Sequence, residues 1–381
     1  MKTKNLNNLE KKALFNRDNI YSFLSSVTAI IIGLIIGFII LLITNYKQAL
    51  PGLKAILVGA FSDRKNLGQV FYFATPVILT GLSVGFANKT GLFNIGASGQ
   101  VITGGFVAVY IGVKWTFLPG ALHWIVALLG AMVIGGLWGF LPGFLKAKFN
   151  VNEVISCIMM NYIGMYLTNF IMVNTVYDSK RNESQKVAAN ATLPSLGMDK
   201  FFKSKSGPSS INIGIFIAIF MGILMWVILE KTSFGYELKA CGYNKDASKY
   251  AGINETKSIV LSMMIAGALA GLGGGLIYLS SGGKRIEALD VLVAEGFNGI
   301  PVSLLGLNNP IGIIFSGLFI AYLNMGGFVM QLSDYPVEVI EIIISVVIYF
   351  SAFSLFMKDW FKKIQLKFSK NSSKSVEEGE N

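Results

Sequence analysis

The chain has 381 residues, of which 53% are hydrophobic and only 14% charged, and its mean hydropathy is +0.59. Soluble domains carry roughly 25% charged residues, so this composition excludes an ordinary water-soluble fold and specifies a membrane protein. The formal charge of +11 does not mark a nucleic-acid binder, because the lysines and arginines are confined to the tails and to the connections between apolar runs.

In chain order, a polar, lysine-bearing tail (1–19) precedes an apolar run at about 20–44. That run exceeds the ~7–15 residues of a signal-peptide core and lacks a small-x-small cleavage site, so it reads as a membrane span. Further runs of bilayer length fall at 69–87, 95–113, 122–145, 153–173, 211–229, 258–280, 310–329 and 337–357. A tenth, 291–306, is short and interrupted by Gly296, Gly299 and Pro301. The predicted fold is an all-α polytopic membrane protein of about ten transmembrane helices, with a transmembrane domain over 20–357 and polar tails at 1–19 and 358–381. The 42 glycines suit close helix packing where lipid supplies no hydrophobic force between helices.

Ten spans put both termini on one side. With that side cytoplasmic, inner segments hold 19 Lys and Arg and outer segments 13, the sign that the positive-inside rule requires. The expected location is a plasma membrane, multi-pass, with both termini in the cytoplasm.

Two connections are longer than a turn needs. Residues 174–210, predicted outside, carry Pro194, Gly207 and Pro208 and suit either contact with an external partner or a passive cover over the helices. Residues 230–257, predicted inside, interleave Leu238, Tyr243, Tyr250 and Ile253 with charges and are punctuated by Gly235, Gly242 and Gly252. Ala247, Tyr250, Ala251 and Asn254 follow i, i+3, i+4, i+7 spacing, which predicts a short helix capped by Asn244 and ended at Gly252. Such a helix suits a groove on a cytoplasmic partner; the alternative is a helix lying on the inner leaflet.

Polar groups inside spans are functional candidates because burying them in lipid is costly. They are Asn94, Gln100, Asn152, Glu153, Asn161, Asn169, Glu295, Asn298, Asn324, Glu338 and Glu341, accompanied by Tyr162, Tyr166 and Phe297. For each amide, hydrogen bonding between helices competes with lining a solute path. Glu153, after Lys146 and Lys148, is expected at the inner interface. Gly91-Leu-Phe-Asn-Ile-Gly96 in the third span and Gly296-Phe-Asn-Gly-Ile300 in the eighth form a short internal echo. It suggests that spans 2–5 and 7–10 are inverted halves.

Absences separate the classes. No Gly-x-x-x-x-Gly-Lys-[Ser/Thr] occurs, so the chain lacks that ATP-binding loop. The single His123 and the two cysteines, Cys157 and Cys241, offer no catalytic or metal-ligand pattern, so no catalytic residue, metal or cofactor is expected. An ion-coupled secondary transporter would need a buried carboxylate relay, for which Glu295 is the only fair candidate.

Four segments in register resemble one family. Phe93-Asn-Ile-Gly-Ala-Ser-Gly-Gln100 is similar to an "FNIGAEGQ" signature, with Ser98 where Glu is usual. Ala74-Thr-Pro-Val-Ile-Leu-Thr-Gly81 resembles "ATPLILTGL", and Asn152-Glu-Val-Ile-Ser156 with Asn161-Tyr-Ile163 resembles "NEVISTLMLNYI". Residues 235–253 resemble a coupling-helix pattern, "GxxLRAxGxNxxAAxYAGI", with Ser248 for the second Ala of its pair. The family is the membrane permease subunit of bacterial ABC importers for nucleosides and simple sugars. The resemblance implies a second permease as partner, identical or related, and an external substrate-binding lipoprotein. It also implies an ATPase that binds ATP in place of this chain and docks on Gly235, Leu238, Gly242, Tyr243, Asn244, Ala247, Tyr250, Ala251 and Gly252. Asn94, Gln100, Asn161, Phe297 and Asn298 are the candidates for the solute path.

Overall fold

A computed structural model describes residues 27–282, 284–331 and 335–353; the two polar tails lie outside this range. Seven helices among the described residues are long and apolar enough to cross a membrane. They are α1 (Val27–Asn45), α3 (Arg64–Lys89), α5 (Gly120–Phe149), α6 (Glu153–Thr175), α8 (Gly214–Lys231), α11 (Glu255–Tyr278) and α14 (Pro310–Met330). Two further helices occupy predicted spans: α4 (Ala97–Lys114), mostly buried inside the chain, and α15 (Val337–Ala352). The all-α polytopic expectation holds.

Contacts divide the chain into two compact units. In the first, residues up to 56 and from 327 onward, Gly33 meets the Val347 backbone and Gly37 meets Ile343, so α1 and α15 pack closely. Ile31, Ile35 and Ile39 form an exposed apolar stripe on α1, as a lipid-facing helix requires. A helix not anticipated from sequence, α2 (Ala49–Val58), turns back after α1. At ten residues it is too short to register as a span, and Gly52 lets it sit against Tyr335 and Met330.

The second unit, residues 57–326, is built around α11, which packs on α3, α4 and α5. Glycine makes these approaches close. A Cβ at Gly135 would lie 2.4 Å from the Gly267 carbonyl oxygen, and one at Gly274 would lie 2.0 Å from that of Val101. α4 packs on α11 while α13 (Gly299–Leu305) packs on α3, a reciprocal exchange of the kind that inverted halves produce.

Three departures from the expected elements have local causes. The third span does not begin at 95 in a continuous helix. Residues 91–96 run as a non-helical segment, Gly91 in the left-handed region at φ 71°, before α4 starts at Ala97. The eighth span is divided into α12 (Ala294–Phe297) and α13, preceded by a non-helical stretch. In the 230–257 loop, the short helix is present as α10 (Lys245–Tyr250), but a second helix, α9 (Ser233–Tyr243), precedes it. Its inward face uses Gly235, Leu238 and Cys241, too small and sparse a stripe to announce a helix amid the charges.

Residues 174–210 form a short hairpin, β1 (Tyr177–Asp178) with β2 (Glu183–Ser184), a one-turn helix α7 (Met198–Phe201) and irregular chain. Backbone bonds tie this segment to helix ends: Ala188 N–H to Gly112 O at 2.9 Å and Leu193 N–H to Leu279 O at 2.9 Å.

Candidate functional site

The end of the second unit that carries residues 88–96 and the 230–257 loop is its basal end. There, Asn94 is fully buried and forms a reciprocal amide pair with Gln100. Its Nδ2 donates to Gln100 Oε1 at 2.8 Å, and Gln100 Nε2 donates back to Asn94 Oδ1 at 3.1 Å. The same Nδ2 donates to Ser83 Oγ at 2.9 Å. Asn161, on α6, accepts from Gly99 N–H at 2.8 Å and donates to Ile95 O at 3.0 Å. Gly96 and Gly99 permit this, since a Cβ at either would press on α6, at Cys157 Sγ and at the Asn161 backbone respectively. Leu92 and Ile95 join an apolar cluster with Cys157, Ile259 and Met263. The three amides therefore satisfy one another and the loop backbone, fixing a non-helical segment that would otherwise hold unpaired polar groups in an apolar interior. In this conformation none of them reaches the surface.

The residues singled out in the 230–257 loop split into an inner and an outer set. Gly235 and Leu238 are buried against their own chain, and a Cβ at Gly235 would stand 2.1 Å from Ile228 O. They position α9 and are out of a partner's reach. Tyr243 is 90% exposed and Tyr250 95% exposed, with Asn244, Ala247, Ala251 and Gly252 exposed beside them. Asn244 Oδ1 caps α10 by accepting from Ala247 N–H at 3.0 Å, and Gly252 at φ 82° ends the turn that follows. These two exposed aromatic rings are the large apolar bodies that this face of the loop presents, the kind of group that gains most from burial. Gly242 is half-buried because it abuts the Thr90–Gly91 backbone, a Cβ there lying 2.8 Å from Gly91 N. Thr90 in turn hydrogen-bonds Ser262 on α11. The 230–257 loop thus touches the turn that leads into the amide cluster.

The broken span lies alongside α3, nearer its basal end. Gly296 stands against the Ser98 backbone and Gly299 against that of Thr80. Thr80 lies about 24 Å along α3 from Arg64 and about 14 Å from Lys89 at 1.5 Å per residue. At the break between α12 and α13, Phe297 is half-buried and Asn298 is exposed, with no side-chain hydrogen bond among the described residues. An uncapped amide exposed at that depth is unfavourable against lipid. Tyr162 and Tyr166 are exposed along α6, whose Met165 and Asn169 border a cavity of about 270 Å3 shared with Ala294 and Glu295. Glu295 is ion-paired with Lys284 at 2.5 Å. Glu153 pairs with Lys146 at 2.9 Å, as expected for an interfacial carboxylate, and Glu338 and Glu341 are exposed on α15.

At the opposite, distal end, a cavity of about 750 Å3 opens between α4, α11 and the 184–192 segment. Its walls carry Ser184, Gln185, Thr192, Ser280 and Ser281 together with Lys186, Lys284 and Arg285. Sequence reasoning missed this cavity, because its walls come from three distant stretches with no shared motif.

A bundle of long apolar helices with a broken helix packed inside it is an architecture suited to a membrane transport subunit. The chain belongs to the permease family described as "Branched-chain amino acid transport system / permease component", whose model matches residues 66–352. It is similar to the guanosine ABC transporter permease protein NupP of Bacillus subtilis (strain 168), at 38% identity over 89% of this chain and 95% of the relative. It is also similar to the nucleoside ABC transporter permease protein NupB of Lactococcus lactis subsp. cremoris (strain MG1363), at 34% identity over 85% and 89%. The glucose ABC transporter permease protein TsgB13 of Haloferax volcanii is 29% identical over 87% of each chain. No solved structure matches.

Proposed function

We propose that this chain forms part of the translocation pathway of an ABC importer for nucleosides, with simple sugars as the next substrate class. The observation that carries the reading is the break at Phe297–Asn298, where an amide and an aromatic ring stand within the bundle and the nearest carboxylate, Glu295, is already paired with Lys284. Nucleosides and sugars offer hydroxyls, ring nitrogens and flat faces, which amides and aromatic rings recognise. An amino-acid cargo would call instead for fixed charges facing its ammonium and carboxylate groups. The named cargoes of the two relatives above 30% identity favour nucleosides.

A separate ATPase docks on the exposed part of 230–257, a second permease completes the path, and a binding lipoprotein delivers solute at the distal face. This chain hydrolyses nothing itself, and both its termini lie in the cytoplasm. Closure of the ATPase on ATP moves α9 and α10, and the two permeases rock between outward- and inward-open states. The ion-coupled alternative loses its relay, because Glu295 is neutralised by Lys284 and is not a lone buried carboxylate.

The test is reconstitution in liposomes with the ATPase and binding protein recovered by tagged pull-down from the native membrane. ATP-dependent uptake of labelled guanosine or adenosine, absent for leucine, is the expected result. Solute accumulation by the purified chain alone would refute the subunit reading. Cysteines placed at 190 and 246 test sidedness, since an impermeant reagent added outside cells should label only the first.

A further inference from the structure

The eighth span reaches α12 through residues 284–293, which are non-helical and take backbone and side-chain partners from elsewhere in the chain. Ser184 N–H donates to Ile286 O at 2.8 Å and Ala288 N–H donates to Asn182 O at 3.1 Å, so the stretch adds to the β1–β2 hairpin as an extra edge. Ile286 N–H also donates to Ser184 Oγ at 3.2 Å, and Arg285 pairs with Glu183 at 2.5 Å. On α6, Asn169 Nδ2 donates to Leu289 O at 2.9 Å and to Asp290 Oδ1 at 3.1 Å. At its far end Ser98 Oγ donates to Val293 O at 2.9 Å, and Lys284 reaches forward to Glu295 on α12.

α12 has only four residues, far below the length at which a helix holds its own shape, so its position is set by what grips it. Those grips come from two directions. From the distal side they are the hairpin, through the backbone ladder, and the Lys284–Glu295 pair. From the basal side they are Ser98 and the close approach of Gly296, one turn from the amide cluster that abuts the docking loop.

We propose that the hairpin and residues 284–293 form a strap that carries the state of the distal face to α12 and thereby positions Asn298. This rests on the importer reading for what touches the hairpin, a solute-loaded binding protein. The 174–210 excursion is then a working part of the transport cycle, and the ion pairs along the strap are positioning groups that touch no solute.

Two measurements on the full-length chain test this. In the first, Lys284→Glu, Glu295→Lys and the double exchange are placed in the reconstituted complex, and ATPase activity is read with and without solute-loaded binding protein. The single variants should copurify the ATPase and keep its basal rate, while stimulation falls about two- to fivefold, the shift that a partly exposed ion pair can impose. The double exchange should restore it. Unchanged stimulation in the single variants, or no recovery in the double, overturns the strap. The second measurement needs no partner: an Asn298→Cys probe is labelled with an impermeant maleimide, the native Cys157 and Cys241 being buried. Its labelling rate should differ severalfold between the Lys284 and Lys284→Glu backgrounds, and equal rates overturn the proposal. Failure of any ATPase to copurify with the unaltered chain would count against the importer reading instead, and the labelling comparison would still decide the strap.

Discussion

Adjacent glycines on α11 allow a sharp test of how this bundle is held together. An added Cβ at Gly273 would meet nothing closer than Leu79 Cβ at 3.5 Å, an ordinary contact. At Gly274 it would stand 2.0 Å from the Val101 carbonyl oxygen and 2.9 Å from its carbon. Both obstacles at Gly274 are backbone, which cannot rotate aside, so α4 and α11 must part by about 1.4 Å to reach normal contact, forfeiting much of their dispersion attraction. Alanine at either site gains the same helix propensity, up to ~1 kcal/mol over glycine. The difference between Gly273→Ala and Gly274→Ala therefore isolates the clash. Overpacking of this kind costs about 1–3 kcal/mol, a roughly five- to hundredfold change in the folded ratio. Thermal stability in mild detergent, followed by size-exclusion retention after heating, is the assay. Gly273→Ala should melt at or above the unaltered chain and Gly274→Ala clearly below it. Equal melting of the two variants would refute the close approach of α4 and α11.

Asn94→Leu strands the Gln100 amide and removes the donor to Ser83, at a cost of about 1–3 kcal/mol for buried groups left unpaired; expression and uptake should fall together, measured by immunoblot and transport in the same cells. Tyr243→Ala with Tyr250→Ala removes two exposed rings, so the melting temperature should hold to within ~0.5 kcal/mol of stability while ATPase recovery in a pull-down drops. At the distal end, the Ser204 hydroxyl donates to Asp63 and, with the Lys65 N–H, holds its carboxyl below the ordinary carboxylate value. A depressed folded pKa means that the clamp's contribution is complete above the unfolded value of roughly 3.9 and is lost as pH falls through the folded one. Hydrogen exchange of residues 202–207 should therefore stay protected from pH 7 to about 5 and loosen only in stronger acid, and Asp63→Asn should remove that acid step.

Much of this architecture could be read from the chain because bilayer thickness imposes a length on every span. The runs at 69–87, 122–145 and 258–280 became helices for that reason, and Asn244 and Gly252 announced α10 through their capping chemistry. The amides at 94, 100 and 161 were recognisable as special, but their roles depended on geometry. Whether an intramembrane amide faces a path or another amide is decided by the neighbouring helices, which leave no mark at that position. The ladder between 182–184 and 286–288 was invisible because two-residue strands have no periodicity to detect and the pairing joins stretches about a hundred residues apart. Leu238 looked like part of an exposed docking pattern. Only the contacts of α9 with α8 and α11 turned it inward.

The non-helical stretch 284–293 that leads into the eighth span also constrains how the molecule is made. Its peptide groups take no helical partners of their own, so the stretch settles only where other groups stand ready to bond it. The partners supplied by the hairpin, α4 and α6 (Asn182, Ser184, Ser98 and Asn169) come earlier in the chain and have already left the ribosome when this stretch emerges, whereas Glu295, the partner of Lys284, follows it. The amino-terminal part of the second unit is therefore the template on which this stretch is laid, and biogenesis has a fixed order. A lesion in the hairpin should show first as a nascent chain stalled between its seventh and ninth spans, before any solute is moved.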